Sequence, residues 1–166
     1  MRLHLPRRIG ARLIKTGLAV SLATGLMSFI DPTHGLVGAG VSAALMIAPS
    51  KEAGKQWARA QFFAAAFGAL VGAVVGQFIG WAPWLSGLVV VGLILALTEM
   101  NLAGAIGGGL SNCLFILEHT EHGWKYAAFR FTASVVGLLI GWAVNWFVLP
   151  YRPAPVTETR STTLAD

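Results

Sequence analysis

Arg130 is the residue with the clearest potential for chemistry, because it is a permanent cation inside an otherwise apolar segment. It lies seven residues after Gly123, which is about 10 Å along a helix. A cation at that depth in a bilayer is costly unless it faces a wet cavity or a partner. Two interpretations follow. Arg130 is either an anion-binding cation in a transport path, or a snorkelling side chain paired with Glu118 or Glu121.

Two further basic residues, Arg12 and Lys15, stand where the first apolar segment begins. They are three positions apart and would share one face of a helix. We expect them to anchor the topology at the membrane surface. The alternative is that they line a cytoplasmic mouth for an anionic substrate, so both join Arg130 as candidate anion contacts.

Polar residues within or beside apolar segments are a second kind of candidate. Buried amides need hydrogen-bond partners, so Asn112 and Asn145 predict bonds between helices, with substrate contact as the alternative. Glu99 is expected to mark a loop, and it would carry protons only if that loop entered the helix bundle.

The sequence contains no recognisable catalytic constellation. It lacks GxSxG, a P-loop and paired catalytic carboxylates, and the stretch EHTEH at 118–122 does not have the HExxH spacing of a zinc site. One cysteine, Cys113, forms neither an internal disulfide nor a metal site. We therefore expect no enzyme activity, no cofactor and no metal ion.

Composition indicates a membrane protein. Hydrophobic residues make up 55% of the 166 and charged residues 11%, less than half of the roughly one quarter usual in soluble domains. The net charge of +5 would suit nucleic acid in a soluble protein. Here the basic residues flank apolar runs without interleaved stacking aromatics, so we expect a bilayer as the partner and no nucleic acid.

Six apolar segments predict an all-α integral membrane protein whose six helices form three consecutive hairpins. The predicted spans are 13–30, 36–49, 60–80, 83–98, 102–117 and 126–149. Residues 1–12 would be a basic cytoplasmic N-terminus that precedes an uncleaved first span, and 151–166 a disordered cytoplasmic tail. All lysines and arginines except Lys125 and Arg130 then fall on the cytoplasmic side, as the positive-inside rule requires.

Segment 60–80 carries a stripe of small residues, with glycine at every fourth position. At 3.6 residues per turn this makes a groove that lets another backbone approach closely in lipid. The predicted partner is the last segment, with a second copy of the chain as the alternative; a sliding or gating surface is the functional interpretation. The predicted packing glycines are Gly68, Gly72, Gly76, Gly80, Gly137 and Gly141.

Three patches together resemble a known family. They are residues 12–19 at the first span, Trp57-Ala58-Arg59 with Gly80-Trp81-Ala82-Pro83 around the third span, and Arg130, Gly137, Gly141, Asn145 and Pro150 in the last. Their order and spacing are similar to the membrane domain of the aromatic acid exporter, or fusaric acid resistance-like (FUSC), family. The resemblance runs from about Arg8 to Pro150.

The resemblance implies a six-helix domain in the bacterial inner membrane with both termini cytoplasmic. Family members are thought to export aromatic carboxylic acids or other organic anions, and related plant proteins are dimeric anion channels. Lys15 and Arg130 match basic positions of the motif and would be the anion contacts. Many members continue into a large cytosolic domain or a second membrane half, whereas sixteen residues follow Pro150 here, so we expect a homodimer or higher oligomer.

These observations predict an exporter module for organic, and in particular aromatic carboxylic, anions. The path would run between the helices, with Arg130 and Lys15 as its cations. The alternative is a membrane scaffold or assembly subunit that does not transport, which the glycine stripe supports equally well because it concerns packing alone.

Overall fold

The computed structural model describes residues 7–30, 36–47 and 51–147, and of residues 7–12 and 51–54 it describes the backbone alone. Six α-helices follow one another in these ranges. The order of helices confirms the predicted all-helical fold. Single turns of 3-10 helix at Ala103–Ala105 and Thr120–His122 precede the last two helices. The helices are α1 (Arg7–Ile30), α2 (Leu36–Leu45), α3 (Lys51–Phe78), α4 (Pro83–Glu99), α5 (Ile106–Glu118) and α6 (Gly123–Phe147).

Three of these helices are long and apolar enough to cross a membrane: the stretches are Leu13–Ile30, Lys55–Phe78 and Thr120–Phe147. Helices α2, α4 and α5 are shorter apolar helices. Large apolar side chains, such as Phe29 and Phe78, are exposed over the outside of the bundle. A soluble protein buries most side chains of this kind, so their exposure here suits contact with lipid.

Two helices, α1 and α3, begin more than one turn earlier than predicted. α3 begins at Lys51 rather than near Ala60, because the stretch taken for a loop is rich in good helix formers and contains no proline. α1 begins at Arg7, inside the predicted N-terminal region 1–12. The rest of that region at 1–6, the ends of the second and last predicted spans at 48–49 and 148–149, and the tail 151–166 lie outside the described residues.

The helices pack as two groups of three. One buried cluster joins α1, α2 and α6, and another joins α3, α4 and α5. A smaller cluster between α3, α5 and α6 holds the two groups together through Ala69, Ala73, Ile116, Tyr126 and Ala127.

The prediction of three consecutive packed hairpins is therefore wrong for two of the pairs. α1 packs closely against α2, but α3 packs mainly against α5 and only slightly against α4, while α6 packs mainly against α2. Chain neighbours need only be joined by short loops, whereas the closest helix pairs are those whose small residues face each other.

The glycine stripe of α3 makes a close crossing, but its partner is α5 and not the predicted α6. A Cβ at Gly68 would overlap the backbone carbonyl oxygen of Gly109, and one at Gly72 would lie 2.7 Å from that of Cys113. The two helices advance together by four residues from one contact to the next, so they run parallel. This crossing lies inside one chain.

The glycines of α6 meet α2 in the same way. A Cβ at Gly137 would overlap the backbone of Ala39, and one at Gly141 would lie 2.6 Å from the carbonyl oxygen of Ala43. α2 and α6 therefore also run parallel. The first choice made from sequence, Gly137 and Gly141 facing the α3 stripe, is wrong because each stripe has a nearer partner of small residues.

Gly80 does not belong to the packing stripe. It lies after the end of α3 at Phe78, its φ of +82° is in the left-handed region, and a Cβ there would meet nothing within 4 Å. Its N–H donates to the carbonyl oxygen of Val75. Gly80 therefore ends the helix, where a left-handed residue is needed.

The indole of Trp57 stabilises the end of α2. Its Nε1–H donates to the carbonyl oxygen of Leu45, 2.7 Å away, and Leu45 is the last residue of α2, where carbonyls lack partners within the helix. We expect Trp57→Phe to lower the free energy of unfolding by about 1 kcal/mol. The measurement is thermal unfolding in detergent. Trp84→Phe, at a side chain 68% exposed, is the matched control, and equal losses in both variants would contradict the assignment.

Candidate functional site

Arg130 lies in the interior of the bundle, where α2, α5 and α6 meet. The residue is 1% exposed. Its Cζ is 4.2 Å from the centre of the Phe115 ring on α5. On the other side, a Cβ at Gly38 of α2 would overlap the guanidinium. The cation is thus held between an aromatic face and a bare backbone, and Gly38 provides the space it occupies.

No guanidinium nitrogen of Arg130 has a hydrogen-bond partner within the described part of the chain. The predicted alternative was a pair with Glu118 or Glu121. Both carboxylates are exposed at the end of the bundle, and Glu121 lies 3.3 Å from His122 instead. Burial of a charge without a partner is strongly unfavourable. The unpaired N–H groups of the planar guanidinium match the two oxygens of a carboxylate, which would supply the missing partner.

A polar bridge lies one helical turn beyond Arg130. Ser134 Oγ donates to Asn112 Oδ1 at 2.8 Å, and Asn112 Nδ2 donates to the carbonyl oxygen of Ala65 at 3.4 Å. Ser134 and Asn112 are each 1% exposed. This bridge ties α6 to α5 and α3, which is the interhelical bond expected of Asn112, and it braces the helices that carry Arg130 and Phe115.

Flat side chains extend from Arg130 toward the end of the bundle that holds the α5–α6 connection. Tyr126, one turn before Arg130, is stacked on His119 with ring centres 4.9 Å apart and planes 24° apart. His122 follows, 5.7 Å from Tyr126. The site thus combines a buried cation with a row of rings that leads to the exposed end of the bundle.

Lys15 is buried on α1, but it lies at a different level of the bundle from Arg130. Gly40 of α2 faces Thr24 of α1. Only five residues separate α1 from α2 and the two helices pack closely, so they are antiparallel. Because α2 runs parallel to α6, α1 and α6 are antiparallel as well. Counted from the Gly137–Ala39 and Gly40–Thr24 contacts, Lys15 and Arg130 are roughly 25 Å apart along the bundle axis at 1.5 Å per residue. The structure does not bring the two predicted anion contacts into one site.

The remaining predicted residues lie away from Arg130. Asn145 is buried on α6, roughly 20 Å further along that helix. Glu99 is exposed at the end of α4, so its loop does not enter the bundle as a proton-carrying role would require. The side chain of Arg12 lies outside the described residues.

Sequence reasoning found the cation but missed the residues around it. A signal was present on α6, because Tyr126, Arg130 and Ser134 recur every four residues and so share one face. Phe115 on α5 and His119, directly after its end, follow the same spacing. Gly38 carried no such signal, because its role depends entirely on which helix lies opposite.

Known proteins of related sequence include a family of exporters. The chain matches the family model described as "Aromatic acid exporter family member 1" over residues 7–148. A UPF0421 protein of Halalkalibacterium halodurans is 30% identical over 151 residues, which cover 89% of this chain and 42% of that relative. The chain thus spans less than half the length of this curated relative. No solved structure matches it.

Proposed function

The chain belongs to the aromatic acid exporter family, and from that premise we propose that it moves organic anions, chiefly aromatic carboxylates, across a membrane. Membership of this family and three long apolar helices point to a multi-pass membrane protein. The observation that carries the proposal is the buried guanidinium of Arg130 without a hydrogen-bond partner in the described structure.

Arg130 binds the carboxylate of the substrate in this proposal. A guanidinium presents parallel N–H donors that match the two oxygens of a carboxylate, and such charge-assisted pairs are among the stronger hydrogen bonds. Phe115 limits the orientation of the guanidinium from one side and Gly38 from the other. The bound anion would satisfy donors that the protein leaves unpaired.

The rings beside Arg130 favour substrates that are themselves aromatic. Tyr126 and His119 form a stacked pair between Arg130 and the exposed end of the bundle. Offset stacking with such rings contributes on the order of 1 kcal/mol per pair beyond the burial of area. An aromatic acid can therefore keep its ring against protein rings while its carboxylate approaches Arg130.

The rest of the proposed path follows from the distribution of charge. Lys15, near the opposite end of the bundle, would be the second cation that the anion meets. All six helices would cross the bacterial inner membrane with both termini cytoplasmic, since the basic residues then lie inside. A homodimer or higher oligomer of such units would form the working transporter.

The alternative role as a scaffold loses the feature that supported it. The stripe at Gly68 and Gly72 is covered by α5 of the same chain, so it is not a free surface for another protein. A packing role also gives no reason to bury Arg130 without a partner. The transport proposal gives a reason, because a substrate anion would pair with the guanidinium.

Transport is tested with purified protein in liposomes at pH 7.5, where uptake of labelled 4-hydroxybenzoate is measured against protein-free liposomes. We expect saturable uptake that excess unlabelled 4-hydroxybenzoate suppresses. The matching amide, 4-hydroxybenzamide, should compete at least about tenfold less well, because hydrogen bonds between charged groups contribute roughly 1.5–3 kcal/mol. Uptake equal to that of protein-free liposomes would contradict the proposal.

A further inference from the structure

A groove of about 780 Å³ runs between α3 and α6 and is open along one side. Its polar end is formed by Lys55 and Arg59, four residues apart on α3 and both exposed. This pair is separate from the Arg130 site, because Arg130 is enclosed on another face of α6. The groove therefore offers two cations to a ligand that approaches from the outside of the bundle.

The remainder of the groove is apolar. On α6 the lining residues recur at helical spacing, which places them on one face. Trp142, at the end near the basic pair, is a residue type enriched where a membrane meets water. The apolar lining consists of Phe62, Phe63, Val135, Leu138, Leu139 and Trp142.

We propose that this groove binds one anionic phospholipid, with its phosphate on Lys55 and Arg59 and an acyl chain along the apolar wall. The guanidinium of Arg59 can hold two phosphate oxygens, and the ammonium of Lys55 adds a point charge. Basic pockets between membrane helices recognise anionic head groups in this way.

The dimensions fit a single leaflet of the membrane. From Lys55 to Phe63 is eight residues, or about 12 Å of helix. One leaflet of hydrocarbon is about 15 Å deep. A head group at the basic pair would therefore place the acyl chain beside the phenylalanine rings and Leu139, within the same leaflet.

The groove also explains why these apolar side chains stay exposed within one chain. Phe63 is 56% exposed and Leu139 59%, and both line the groove rather than the interior. A second copy of the chain would need acidic residues to face Lys55 and Arg59, whereas the acidic residues whose side chains the structure describes, Glu99, Glu118 and Glu121, lie at the ends of α4 and α5 and in the α5–α6 connection. An anionic lipid supplies both the charge and the apolar length.

The test uses the full chain in nanodiscs of phosphatidylcholine with a minor fraction of phosphatidylglycerol. Native mass spectrometry then counts the lipids that stay bound. Wild type should retain phosphatidylglycerol in preference to phosphatidylcholine. Each cation near an anionic surface contributes about 1 kcal/mol, so Lys55→Gln or Arg59→Gln should lower that preference about fivefold, and the double variant about thirtyfold. Lys125→Gln removes an equal charge outside the groove and should change nothing.

A second readout locates the acyl chain without altering the cations. Phosphatidylglycerol with brominated acyl chains should quench tryptophan fluorescence, and Trp142→Phe should remove a larger part of that quenching than Trp84→Phe. Equal retention of the two lipids by wild type, or a preference that survives in the double variant, would overturn the proposal. So would a change from dimer to monomer in the double variant, which would identify a second copy as the occupant.

Discussion

Replacement of Arg130 by methionine is expected to lower aromatic acid uptake strongly while it makes the protein more stable. Methionine replaces the apolar stem of the arginine side chain and ends near the position of Nε, so only the outer part of the guanidinium between Phe115 and Gly38 is lost. A buried charge without a partner is destabilising, and apolar replacements of buried ionic groups often stabilise by 1–4 kcal/mol. We therefore expect a gain of about 2 kcal/mol in the free energy of unfolding.

Uptake should change in the opposite direction in the same variant. Loss of a charge-assisted pair worth about 3 kcal/mol corresponds to a reduction of about 100-fold. The measurements are initial uptake of labelled 4-hydroxybenzoate in liposomes and unfolding by denaturant in detergent micelles. If the role of Arg130 were purely structural, its replacement would lower the stability of the protein. An Arg130→Met protein less stable than wild type would therefore contradict the assignment.

Two matched variants isolate the contribution of the guanidinium. Arg130→Lys keeps the charge but loses the planar pair of donors, so uptake should fall to an intermediate level. Lys125→Gln removes a cation that is exposed on the same helix, and it should leave both uptake and stability near wild type. A loss of uptake in Lys125→Gln as large as that in Arg130→Met, which removes an equal charge, would show that overall charge and not the buried site controls uptake.

The second large effect is expected at Gly68, where the added methyl group of Gly68→Ala should weaken the protein severely. The new Cβ would overlap the carbonyl oxygen of Gly109, a backbone atom that cannot move unless α3 and α5 separate. Overpacking at such a contact costs about 3 kcal/mol. The measurement is the midpoint of unfolding in a series of detergent mixtures with increasing SDS.

Gly87→Ala is the control, because a Cβ at Gly87 in α4 would meet nothing within 4 Å. Alanine is a better helix former than glycine, so this change should stabilise the protein by up to about 1 kcal/mol. The two variants thus carry the same chemical change with opposite expected signs. A Gly68→Ala protein as stable as wild type would mean that the α3–α5 crossing is not close.

The sequence by itself determined the helical character of the chain, the positions of the six helices to within a turn at most ends, and the presence of a cation within an apolar segment. These properties are local. A run of apolar residues predicts a helix in lipid whatever its neighbours are, and a charge at the depth of Arg130 demands an explanation in any bundle. The glycine spacing likewise predicted a close crossing in α3 before its partner was known.

Only the tertiary structure decided which helices meet. In lipid the hydrophobic effect does not select partners, since every helix is apolar and van der Waals packing brings the smoothest faces together. Small residues occur on four helices: α2, α3, α5 and α6. Their sequences therefore do not tell whether α3 packs its glycine stripe against α5 or against α6. The arrangement of the helices placed Phe115 and Gly38 around Arg130 and left the groove at Lys55 and Arg59 open. The sequence could not predict either site, because each joins residues that are far apart in the chain.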